Sequence, residues 1–287
     1  MKTISNQTFE LERALYNTSD ALIIDCKFEG EADGESALKE SRDIKVDKCL
    51  FALRYPLWHV SNFEVSNSTF LSTSRAPLWY CSKGIINNIN IQSVKALREC
   101  SHIVINNSHI VSEEFGWKCG DIRISNTSIE AFYFLFESKD IEISNLELKG
   151  KYSFQYVKNV NIVDSKLDTK DAFWHSKNVT VTNSIIKGEY LGWFSEGLTI
   201  INCKIIGTQP LCYCKNLKII DSEMIDCDLS FEYSEVDANI IGHIDSIKNP
   251  KSGHIEVDSL GELITTDSIM ESKAEIVVKH KEQEKKK

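Results

Sequence analysis

Apolar and polar positions alternate in short runs along most of the chain, and each run restarts on a fixed beat. HIVINNSHI (102–110) is followed by DIRISNTSI (121–129), DIEISNLEL (140–148), NVNIVDSKL (159–167), NVTVTNSII (178–186), GLTIINCKI (197–205) and NLKIIDSEM (216–224), each nineteen residues after the last. Upstream, DIKVDKCLF (43–51), NFEVSNSTF (62–70) and KGIINNINI (83–91) join the series with one step of 21, and DALIIDCKF (20–28) is a looser first copy. Within a copy, Ile122 and Ile124 alternate with polar neighbours. That is the period-2 signature of a strand with one buried face.

Two further columns complete the unit. The sixth position holds Asn67, Asn88, Asn107, Asn126, Asn145, Asp164, Asn183, Asn202 and Asp221. Asn and Asp tolerate the left-handed backbone of a sharp bend, and stacked amides can hydrogen-bond from rung to rung. The ninth position is apolar throughout, as in Phe51, Phe70, Ile91, Ile110, Ile129, Leu148, Leu167, Ile186, Ile205 and Met224. Strand, Asn bend, short strand and loop predict one coil of an all-β, single-stranded parallel β-helix, with about eleven coils. A leucine-rich repeat also sets Asn beside a strand, but nineteen residues leave little room for its return helix.

The later part of each coil supplies another strand. It reads PLWHV (56–60), PLWYC (77–81), ALREC (96–100), FGWKC (115–119), FLFES (134–138), SFQYV (153–157), AFWHS (172–176), LGWFS (191–195) and PLCYC (210–214). Simple alternation predicts that the third letters (Trp58, Trp79, Trp117, Trp174, Trp193) and the small fifth letters point inward. The fourth letters, His59, Tyr80, Glu99, Lys118, Glu137, Tyr156 and His175, then form one outward stripe. The opposite phasing, with the Trp column outside, stays open at this stage.

The x-I-x-I-x-N-S-x-I coils, together with YPLWHVS (55–61), SRAPLWYCS (74–82) and HIDSIKNPKSGHIEVDSLGEL (243–263), resemble the right-handed parallel β-helix of the pectin-lyase-like superfamily. Within it, the chain is similar to an uncharacterised bacterial family of unknown function. The resemblance implies the fold over nearly the whole chain and brings no established activity or catalytic residues. The superfamily includes polysaccharide lyases and glycoside hydrolases, so carbohydrate chemistry follows from it by analogy only.

The ends read differently. Residues 1–19 are expected to cap the first coil, 20–237 to form the β-helix, 238–278 to cap the last coil, and 279–287 (KHKEQEKKK) to be a solvated charged tail. All belong to one domain.

Composition narrows the partners. The 287 residues carry a net charge of −9, which disfavours nucleic acid or an anionic membrane surface. Apolar runs are too short to span a bilayer, and the N-terminal MKTISNQTFELE has no signal-peptide core. Nine cysteines with no secretion signal read as reduced thiols of a cytoplasmic protein. They lack the spacing of a metal site, and no cofactor motif accompanies them. Sequons such as Asn67-Ser68-Thr69 and Asn126-Thr127-Ser128 are explained by the repeat.

Candidate chemistry lies on the outward stripe. His59, Arg75, Tyr80, Tyr156 and His175 are candidate ligand-binding residues, the aromatic rings for sugar faces. Glu99, Lys118 and Glu137 are the catalytic candidates. At ~4.8 Å per coil the two carboxylates are roughly 9.6 Å apart, at the outer limit for an inverting acid–base pair. Lys118 between them favours the charged form of both, which suits binding better than proton donation. The functional reading is a protein that binds or modifies a glycan or other extended ligand along this face. Its rival is a non-enzymatic scaffold for protein interaction. Whether the chain is an enzyme stays open.

Overall fold

The computed structural model describes residues 1–30 and 34–279; most of the charged tail lies outside the described residues. The only helical element among them is a 3₁₀ turn at Ser72–Ser74. The rest is strand and bend in a parallel β-solenoid of about 14 turns. The repeats suggested about eleven because they miss coils at the two ends. Lys2–Ser5 already pairs in parallel register with the strand at Ser19–Ile24. Glu235–Lys248, Ser252–Ile264 and Lys273–Val278 likewise pair in parallel, one on the next. The chain divides into two compact units, Met1–Gly150 and Lys151–Lys287.

In the first unit the alternating positions stack in register. Phe63, Gly84, Ile103 and Ile122 face one another on successive coils, as do Val65, Ile86, Ile105 and Ile124. Gly84 has no side chain because Phe63 fills its place: a Cβ there would stand 2.3 Å from the Phe63 ring. The ninth-position column begins as a ring stack, with Phe28–Phe51 and Phe51–Phe70 centroids 4.7 and 4.6 Å apart. Those three rings are fully buried, each stabilising the coil by about 1.5–3 kcal/mol. No coil could bury such a column alone, so every turn depends on its neighbours.

The second unit repeats the design with smaller side chains. Val160, Val179 and Leu198 stack in one column. Ile162, Val181, Ile200 and Ile219 stack in another. All seven are buried.

Asparagine bends close both units. Asn67, Asn88, Asn107, Asn126 and Asn145 have φ between 48° and 52°, and Asn183 and Asn202 have 51° and 50°. This left-handed conformation is one Asn adopts more readily than most residues. The next position carries a hydroxyl or thiol that completes the bend. Ser68 Oγ accepts the Cys49 amide at 3.0 Å and donates to the Ser66 carbonyl at 2.6 Å. In the second unit the Ser165 amide reaches Ser184 Oγ at 3.0 Å, and the Ser184 amide reaches Cys203 Sγ at 3.3 Å. Buried amides turned inward by the bend are thus paired, as buried polar groups must be.

The PLW segment departs from the expected phasing. Leu57, Leu78, Leu97 and Leu135, the second letters, are fully buried, as are the fifth letters Val60, Cys81, Cys100, Cys119 and Ser138. The Trp column is half-buried at the surface, and the fourth letters are exposed. Left-handed residues cause this. The fourth letters His59, Tyr80, Glu99, Lys118 and Glu137 have φ of 50–56°, and second letters such as Leu97 and Leu135 have 57° and 55°. Each breaks the strict alternation of a strand. Only two-residue strands remain, Leu57–Trp58 and Leu78–Trp79.

Candidate functional site

In the first unit the fourth-letter column runs through His59, Tyr80, Glu99, Lys118 and Glu137 and is held by contacts between coils. His59 Nδ1 lies 2.8 Å from Glu40 Oε1, and its ring lies 5.1 Å from that of Tyr80. Lys118 Nζ is 3.6 Å from Glu137 Oε2. Beside them the third-letter column is a ridge of rings and cations. Trp58 and Trp79 centroids are 4.7 Å apart, and the Arg98 guanidinium sits 5.5 Å from the Trp79 ring and 5.3 Å from that of Trp117. Arg98 also reaches Glu114 Oε2 at 3.5 Å and Glu99 Oε1 at 4.0 Å. Arg75 stands apart from the stripe. It closes the 3₁₀ turn with φ 56°, and its carbonyl accepts the amides of Val94 and Lys95 at 3.1 and 2.9 Å.

The second unit carries Tyr156 and His175 in a continuous ring stack. Tyr156–His175, His175–Phe194 and Phe194–Tyr213 are spaced 4.9, 4.9 and 4.8 Å with interplanar angles of 10°, 7° and 13°. Each inner ring has both faces covered by neighbours, so the stack presents edges to solvent. A sugar platform needs an open face, so the geometry favours a structural spine. Trp174 and Trp193 stack alongside at 5.4 Å and donate from Nε1 to the carbonyls of Tyr190 and Gln209 at 2.6 and 2.7 Å. Gln155 takes the same role, donating to the Asp171 carbonyl at 3.0 Å. In the first unit, Trp79 Nε1 is buried and has no such acceptor among the described residues.

The cysteines line the interior. The Cys81 amide donates to Cys100 Sγ and the Cys100 amide to Cys119 Sγ, both at 3.4 Å, and the Cys119 amide continues to Ser138 Oγ at 2.9 Å. The thiols therefore act as serine hydroxyls do in the same column. Burial pushes Cys81 and Cys119 well above the usual thiol range. It raises Cys49, Cys212 and Cys227 to about 12 and Cys214 to about 11. Such thiols stay protonated and poorly nucleophilic.

A concavity lies elsewhere, along the asparagine bends of the first unit. It is an open groove of about 740 Å³. One wall is Asn67, Asn88, Asn107, Asn126 and Asn145; the other is Thr69, Asn90, His109, Ser128 and Glu147. Its floor is the buried seventh position, including Ser68, Ser108 and Thr127. Over five coils at ~4.8 Å per step the groove is ~19 Å long. The amides along it are tied to neighbouring coils, within the column at two steps and to Asn87 beside it at a third. Asn88 Nδ2 donates to Asn67 Oδ1 at 2.6 Å, Asn107 Nδ2 to Asn87 Oδ1 at 2.9 Å, and Asn145 Nδ2 to Asn126 Oδ1 at 2.9 Å. An amide has two N–H donors and two acceptor lone pairs, so a laddered amide keeps donor and acceptor capacity for a ligand.

Within the groove, His109 Nδ1 lies 2.7 Å from Ser128 Oγ. The pair has the geometry of base and nucleophile, but His243 and Ser259 repeat it at 3.0 Å in the second unit. The contact is what a column of side chains one coil apart produces, and the orienting acid of a triad is not part of it. Among the described residues, no three His, Cys, Asp or Glu side chains cluster as a metal site. Among the same residues, no helix is long and apolar enough to cross a membrane.

The sequence reading missed this groove. The Asn column was visible as a bend, yet the concavity it borders depends on the seventh position being sunk between the sixth and eighth.

The family described as "Protein of unknown function (DUF3737)" matches residues 2–278, and the chain belongs to that family. No functionally curated protein matches it. Among solved structures, the chain is similar to PfbA, a surface adhesin of Streptococcus pneumoniae, at 8% identity and TM-score 0.48, over 84% of this chain and 82% of that one. It is also similar to an endo-xylogalacturonan hydrolase from Aspergillus tubingensis, at 12% identity and TM-score 0.33, over 96% and 87% of the two chains. A third is the A-module of a mannuronan C-5 epimerase from Azotobacter vinelandii, at 10% identity and TM-score 0.32, over 84% and 81%.

Proposed function

We propose that this member of the DUF3737 family is a binding protein that holds an extended polyhydroxyl ligand, a glycan, in the asparagine-lined groove of its first unit. The observation that carries this reading is the groove itself: two polar columns repeat at every coil over five coils and face a common trough. A polymer of chemically similar units is matched by a wall of chemically similar rungs. Each sugar hydroxyl is both donor and acceptor, and a laddered amide offers both.

Binding without turnover is the better reading of the catalytic candidates. Glu99, Lys118 and Glu137 lie on a column that is not among the residues lining the groove. Glu137 is paired with Lys118 at 3.6 Å on that exposed column, away from the trough. The experiment is a glycan array with the purified protein and with the double variant Asn107→Gly/Asn126→Gly. Glycine keeps the left-handed bend and removes the amide. Signal lost in the double variant supports the groove; signal unchanged rejects it.

A further inference from the structure

We infer that the ligand of this groove is an uncharged glycan and not a uronic acid polymer. The inference rests on the groove reading above and adds to it the charge class of the ligand.

The lining carries the argument. Among the described residues that border the groove, five asparagines of the bend column face Thr69, Asn90, His109, Ser128 and Glu147. None of the lining residues is Lys or Arg, and the one carboxylate is Glu147, at one end. A polymer with a carboxylate on every unit would set several anions along neutral amides. Specific recognition of carboxylates uses Arg forks or Lys, which add both charge and directed hydrogen bonds. Several basic side chains of the first unit are paired with carboxylates that do not line the groove. Arg98 pairs with Glu114, Lys118 with Glu137, Lys45 with Glu64 and Arg123 with Asp121. The whole chain, at a net charge of −9, adds a repulsive field for a polyanion.

A neutral glycan meets no such penalty. Its hydroxyls can take the spare donor and acceptor of each laddered amide, and the Thr69 and Ser128 hydroxyls opposite. With no ion pairs formed, its affinity will be nearly independent of salt.

The test is calorimetric titration of the full chain with neutral oligosaccharides (glucan, mannan and xylan fragments long enough to fill the groove) and with galacturonate and mannuronate oligosaccharides, at low and high salt. The inference expects a neutral oligosaccharide to bind with an affinity that changes less than about twofold with salt. It expects uronates to bind at least about tenfold more weakly, the equivalent of about 1.4 kcal/mol. It also expects Glu147→Lys to improve uronate binding about tenfold while leaving the neutral ligand within about twofold. Uronates that bind more tightly than every neutral oligosaccharide, with affinity lost in Asn107→Gly/Asn126→Gly, would overturn the charge assignment and leave the groove reading intact. Binding of any ligand that survives the double variant, or binding by none of them, would overturn the groove reading and this inference with it.

Discussion

Asn88 donates from its side-chain amide to Oδ1 of Asn67 at 2.6 Å, while both hold left-handed backbone, with φ of 52° and 49°. One residue type thus serves two needs at this pair of coils, as it does at Asn126 and Asn145. It lowers the cost of the bend, and it ties that bend to the next. The same column then borders the groove, so the feature that builds the fold also furnishes the proposed site.

The double role makes a stability prediction. Asn107→Ala should destabilise the protein by about 1–2 kcal/mol, because alanine in left-handed backbone carries roughly that penalty. Asn107→Gly should cost less, since glycine adopts that backbone freely. Urea denaturation midpoints of the two variants compare them directly. A glycine variant less stable than the alanine variant would show that bend geometry is not what the asparagine provides.

A second prediction concerns the Trp column. Trp174 Nε1 donates to the Tyr190 carbonyl at 2.6 Å, whereas Trp79 Nε1 is buried without an acceptor among the described residues. Removing a satisfied donor strands its partner, and removing an unsatisfied one relieves a cost. Trp174→Phe should therefore be more destabilising than Trp79→Phe, by about 1 kcal/mol. Equal midpoints for the two variants would count against this reading of the column.

The second letters set the core of the same segment. Leu78 is fully buried and Tyr80 is exposed. Leu78→Ala should cost about 2–5 kcal/mol and Tyr80→Ala about 1 kcal/mol or less. The reverse order in thermal or urea unfolding would contradict the bend geometry.

The thiols predict a pH dependence. Burial raises Cys49, Cys212 and Cys227 from the ordinary value of 9.0 to about 12. Unfolded chains release these protons first, so above the ordinary thiol pKa the unfolded state binds fewer protons than the native one. Stability should be flat below pH 9.0 with respect to these groups and fall between 9.0 and about 12, at up to about 1.4 kcal/mol per pH unit per thiol. Cys100→Ser should preserve the ladder to Cys81 and Cys119, whereas Cys100→Val should cost about 1–3 kcal/mol by orphaning the Cys81 amide. Equilibrium unfolding across alkaline pH, and of the two variants at neutral pH, checks both statements.

How much of this was legible in the sequence differs from column to column. Ile122, Ile124 and Ile129 announced buried positions by spacing alone, because strand geometry fixes which residues share a face. Asn126 announced a bend because its residue type favours one. Leu97, Glu99 and Leu135 gave no warning: nothing in Leu or Glu signals left-handed backbone, so simple alternation misplaced the Trp column. The two ends differ. Lys2–Ser5 pairs in parallel with its neighbour and leads into Asn6 in left-handed backbone, and Phe9 stacks on Phe28, so residues 1–9 are a copy that the nineteen-residue spacing could have revealed. Lys273–Val278 also pairs in parallel but is followed by Lys279, without the Asn or Asp bend of most coils. The groove could not be read because it arises from the sinking of the seventh position between two more exposed columns. The candidates His59 and Tyr80 do lie together, as do Tyr156 and His175, though in separate units, and the ring stacking that covers the Tyr156–His175 faces has no trace in the sequence.

The most direct measurement compares the two surfaces in one ligand assay. Glycan binding is measured for the native chain, for Asn107→Gly/Asn126→Gly in the groove, and for His59→Ala/Tyr80→Ala on the outward stripe. Circular dichroism confirms that each variant stays folded. The groove account predicts at least about tenfold weaker binding for the asparagine pair and an unchanged constant for the stripe pair. Binding lost in the stripe pair and kept in the asparagine pair would contradict it.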